Sequence, residues 1–64
     1  MPPDPPATNS EAARKAIFAA LVAMQDRGVP VATSRQKVAE SFHITNQLVA
    51  EVEREGLDKE WPPL

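Results

Sequence analysis

Apolar residues recur at three- and four-residue steps in three separate stretches of this 64-residue chain, a pattern that predicts three amphipathic helices. In the first stretch Ala13, Ile17, Ala20, Leu21 and Met24 form one stripe, and Phe18 and Val22 widen it on a second flank. This helix is expected to start at Thr8, Asn9 or Ser10, with Thr8 and Glu11 at capping-box spacing, and to run from Ala12 to Arg27. Gly28 then supplies a C-terminal cap, because it takes positive φ without steric cost. Val29-Pro30-Val31 reads as an extended link, since Pro30 disfavours helix at Val29. A second helix, Ser34 to Phe42, is expected to open on the pair Thr33 and Gln36 and to bury Val38, Ala39 and Phe42. After a tight His43-Ile44 turn, Thr45 caps a third helix that carries Val49, Val52 and Leu57 inward. Gly56 weakens or ends that helix, at about 1 kcal/mol relative to alanine. Trp61, just before Pro62-Pro63, is expected to fold back and close the core.

Residues 1–8 hold Pro2, Pro3, Pro5 and Pro6, which predict an extended, disordered proline-rich tail ahead of one domain spanning 9–64. Within that domain the segment from Arg35 to Glu53 carries the most information. Two short helices three or four residues apart, with a small residue where they cross, are the pattern of a helix-turn-helix. Ala39 is the small residue, Val38 and Phe42 flank it, Ile44 plugs the turn, and Val49 and Val52 face back from the third helix. The expected fold is all-α: a three-helix helix-turn-helix bundle with a disordered proline-rich N-terminal tail.

Thr45-Asn46-Gln47-Leu48-Val49-Ala50-Glu51-Val52-Glu53-Arg54-Glu55-Gly56-Leu57 resembles the recognition helix of the C-terminal, promoter-reading (region 4-like) domain of bacterial sigma factors. The likeness lies in a capping hydroxyl, two valines three apart, and then Glu-Arg-Glu, a small residue and leucine. Val38-Ala39-Glu40-Ser41-Phe42 is similar to the helix that precedes it in that family. His43 stands where the family usually has glycine, so the resemblance implies positive φ at His43 or a different turn. Asn46, Leu48, Ala50 and Glu51 stand where the family tends to place outward arginines. The resemblance covers about half the chain and implies a transcription-related DNA reader.

Composition narrows the alternatives. With no cysteine and a single histidine, neither a disulfide nor a zinc site is available, so no metal or other cofactor is expected. No paired nucleophile and base and no glycine-rich phosphate loop occurs, and the reading is of a non-enzyme without a small-molecule substrate. No apolar run reaches the roughly 20 residues that span a bilayer, and no signal-peptide pattern opens the chain. A soluble, cytoplasmic protein without a membrane partner is expected.

Two functions compete. In the first, the third helix enters the major groove of double-stranded DNA, where Asn46 and Gln47 suit adenine and Thr45 suits a thymine methyl or a phosphate. Arg35 and Lys37 then hold the backbone, with Arg14, Lys15 and Arg27 as possible helpers. In the second, the same frame is a protein-interaction module or a small accessory subunit of a nucleoprotein complex. Phe18, Val22 and Leu48, surplus to a three-helix core, then form the interface of a homodimer or of a contact with a larger protein. A wider core accounts for the same three residues. The net charge of −2, and the run Glu51, Glu53, Glu55, Asp58 and Glu60, favour the second function or a solvated face pointing away from DNA.

Overall fold

The computed structural model describes residues 10–63; the proline-rich stretch 1–8, including Thr8, lies outside the described residues. Three helices follow one another, α1 (Glu11–Asp26), α2 (Val31–Phe42) and α3 (Asn46–Lys59), and each packs on the other two. The described residues contain no strand, so the all-α class is as the periodicity predicts.

Ser10 is the residue that opens α1: its Oγ accepts from the Ala13 N–H at 3.1 Å. Thr45 does the same for α3, accepting from the Leu48 N–H at 3.0 Å. Between them, α2 starts three residues earlier than the Thr33–Gln36 pair predicts. Pro30, at φ −56°, is already set for entry, and its carbonyl accepts from the Ser34 N–H at 2.8 Å. The fully buried Ser34 spends its hydroxyl on the Val31 carbonyl at 2.7 Å, which leaves Thr33 exposed in the first turn.

All three helices end by one device. A left-handed residue follows the helix, and the apolar residue after it returns its N–H to the carbonyl five positions back. Gly28 (φ 88°), His43 (φ 57°) and Glu60 (φ 53°) take the left-handed positions. Val29 then bonds Met24 at 3.1 Å, Ile44 bonds Ala39 at 2.9 Å and Trp61 bonds Gly56 at 2.9 Å. Only the first of these positions has a glycine. A side chain in this region costs on the order of 1 kcal/mol. His43 is exposed and its side chain makes no hydrogen bond that a glycine would forfeit. His43→Gly is therefore expected to raise stability by about 1 kcal/mol in urea denaturation.

The core joins Ile17, Phe18 and Leu21 of α1 to Val38 and Ala39 of α2 and to Val49 and Val52 of α3, with Trp61 closing it. Phe18 is fully buried and lies at the centre of this core, not on a flank. Its ring rests on Gly56: a Cβ built there would fall 2.5 Å from the ring's Cγ and Cε1. Trp61 meets the same ring edge-on, at 6.2 Å between centroids and 77° between planes. Gly56 thus takes the inward position expected of Leu57, which is 56% exposed. Val49, Val52 and Gly56 are spaced by three and four, and one residue further on the helix has turned by about 100°. In an ordinary helix interior Gly→Ala stabilises by about 1 kcal/mol. Here Gly56→Ala is expected to destabilise by about 1–3 kcal/mol, because the new methyl displaces the Phe18 ring. Urea denaturation reads the sign directly, and Phe18→Leu added to it should recover part of the loss.

Candidate nucleic-acid interface

With Val49, Val52 and Gly56 turned into the core, the opposite side of α3 presents Gln47, Glu51, Arg54 and Asp58, all exposed. Asn46 is exposed beside Gln47, and so is Thr45, whose hydroxyl is engaged as the helix cap. The side chains of Asn46 and Gln47 make no hydrogen bond within the described residues. Lys37 is exposed on α2 and forms no ion pair there.

Arg35 is placed differently from the other four. Its Nε donates to Glu53 Oε1 at 3.0 Å, and Nη2 donates to the same oxygen. The other oxygen of Glu53 accepts from Gln25 Nε2 at 3.1 Å, and Gln25 also donates to Ser34 Oγ at 3.2 Å. This network ties α1, α2 and α3 at one point, with the Glu53 side chain only 14% exposed. Hydrogen bonds to a charged group contribute about 1.5–3 kcal/mol each, and more is lost when one partner is left buried alone. Arg35 is therefore held as a tie. It also lies about 10 Å along α3 from Asn46, since Glu53 is seven residues further on. The structure keeps Thr45, Asn46 and Gln47 together and sets Arg35 apart from them.

The trio expected at a protein interface is not a surface patch. Phe18 is fully buried, so no partner reaches it without unfolding the bundle. Val22 and Leu48 are half-buried and pack against the core. Leu48 lies on the α1-facing flank of α3 and not on its outward face, so the wider-core reading describes all three. Among the described residues, the large apolar ones that reach solvent are Val31 and Leu57.

Glu53 and Glu55, expected on a solvated acidic face, both hold helices together. Glu55 accepts from Arg14 Nε of α1 at 2.7 Å and from Lys59 Nζ at 3.2 Å. Partial burial raises the pKa of Glu55, but the hydrogen bonds and charges of Lys59 and Arg14 outweigh it and hold the carboxyl below its ordinary 4.5. Because the folded value is the lower one, the stabilisation is complete above about pH 4.5. It is lost as pH falls through the lowered value. Glu55→Gln should lower the urea midpoint at pH 7 and make its fall between pH 5 and pH 3, roughly, shallower than in the parent.

Beside the Arg35–Glu53 tie, Arg35, Ala50, Glu53, Arg54 and Leu57 line an open hollow of about 350 Å³. Among the described residues no group of three or more His, Asp or Glu side chains is placed to hold a metal ion. No helix there is long and apolar enough to cross a membrane. The chain matches no protein-family model, and neither the curated proteins nor the solved structures contain a match to it.

Proposed function

We propose that this protein is a small DNA-binding helix-turn-helix protein, a transcriptional regulator or the recognition subunit of a larger assembly. In this reading α2, the turn 43–45 and α3 form the helix-turn-helix unit, and α3 enters the major groove by its first turn. One observation carries it. Asn46 and Gln47 are exposed and unengaged at the start of a helix whose other side is locked into the core. Paired donor and acceptor groups on a rigid support are what base reading requires, and one good bidentate contact discriminates by about 1–3 kcal/mol. Thr45 supports them as the cap, and Lys37 supplies a free cation for the backbone.

Exposed Leu57 and Val31, together with the exposed carboxylates Glu51 and Asp58, favour a second reading as a protein-interaction module. The experiment that separates the two is a titration of the labelled protein with mixed-sequence duplex DNA at about 50 mM salt, followed by amide shifts. The DNA reading predicts shifts at Lys37, Asn46 and Gln47 that fade as salt rises. It also predicts that Asn46→Ala with Gln47→Ala keeps the fold but removes discrimination between duplexes selected from a random pool and scrambled ones. An unshifted spectrum at low salt, with no duplex selected, would reject the DNA reading in favour of a protein partner.

A further inference from the structure

The hollow between α2 and α3 has a charge pattern that the rest of α3 lacks. Two of its five lining residues are arginines and one is a glutamate, so it carries one positive charge in excess on a chain whose net charge is −2. The two cations are not equivalent. Arg35 is neutralised by Glu53, whereas Arg54 is exposed and has no ion-pair partner among the described residues. Arg54 is also the one cation on an outward stripe that otherwise holds Gln47, Glu51 and Asp58. Leu57 and Ala50 give the hollow an apolar wall, and Glu53, its charge already satisfied, adds little repulsion.

The position matters as much as the charge. Arg54 lies two turns beyond Gln47 on the same side of α3, about 10 Å along the axis. The major groove is about 12 Å wide and 8.5 Å deep. A helix whose first turn reaches base edges therefore brings a residue two turns later to the rim, where phosphates lie. We infer that this hollow is a backbone-phosphate site for duplex DNA, with Arg54 as its cation and Arg35 as a structural tie. The inference rests on the DNA reading above and replaces Arg35 as the phosphate contact. Glu51 and Asp58 flank Arg54, so the loss of this one cation leaves a stripe whose only charges are negative.

The test is the salt dependence of binding to a mixed-sequence duplex between about 50 and 200 mM salt. Each phosphate contact contributes about 0.9 to the slope of log affinity against log salt. Arg54→Ala should lower the slope by about 0.9 and weaken binding on the order of tenfold at 50 mM salt. Arg54→Lys should restore most of the slope. A parent that binds and an Arg54→Ala variant with the parent's slope would overturn the phosphate site while leaving the DNA reading intact. A parent that fails to bind at low salt would overturn both.

Discussion

The bundle depends on the contact between Phe18 and Gly56. The Phe18 ring occupies the centre of three short helices by resting on the bare backbone of α3 at Gly56. The contact sets how closely α1 and α3 approach, and it fixes the rotation of α3 about its own axis. Trp61 can then lie edge-on over the same ring, returning its N–H to the Gly56 carbonyl and taking Lys59 Nζ at 5.5 Å from its ring centroid. Such an aromatic pair adds about 0.5–1.5 kcal/mol beyond the area it buries. For a chain of this size, which has no disulfide, that is a sizeable share of the total stability.

Around this apolar centre, two carboxylates specify how the helices meet. Glu53 gathers Arg35 and Gln25, and Glu55 gathers Arg14 and Lys59. Both carboxylates are on α3 and both reach to other helices, one on each flank. The arrangement resists rotation of α3 in either direction. It also consumes two of the arginines, so the cations left free are few and their positions informative. The surface of α3 that faces away from Phe18 is polar and mixed in charge, and its side chains make no hydrogen bond or ion pair among the described residues.

Three helices, their order and most of the core were legible in the sequence because spacing by three and four is a direct consequence of helix geometry. The start of α2 was not. Thr33 and Gln36 imitate a capping box, but the Ser34 N–H already bonds the Pro30 carbonyl, so the helix has begun before them. Leu57 looked buried by its chemistry and Gly56 looked like a break. Their true roles depend on which of the two meets Phe18, a residue that lies 38 positions before Gly56 in the chain. Glu53 read as one of a solvated acidic run. The signal that would have separated it is its opposite charge to Arg35 on the helix that crosses at Ala39. The polar set at the start of α3 was legible because capping and exposure follow from local sequence. The difference in ion pairing between Arg35 and Arg54 was not, because it is decided by which cation a carboxylate on a neighbouring helix reaches.

The rotation of α3 is the claim on which both the core and the outward surface rest. Nuclear Overhauser contacts from the Phe18 ring protons measure it most directly. The account predicts strong contacts to both α-protons of Gly56 and to the Trp61 indole, with the Gly56 α-protons shifted upfield by the ring above them. Contacts from Phe18 to the Leu57 methyls in place of Gly56 would contradict it. They would mean a helix turned by about 100°, with a different set of side chains facing the solvent.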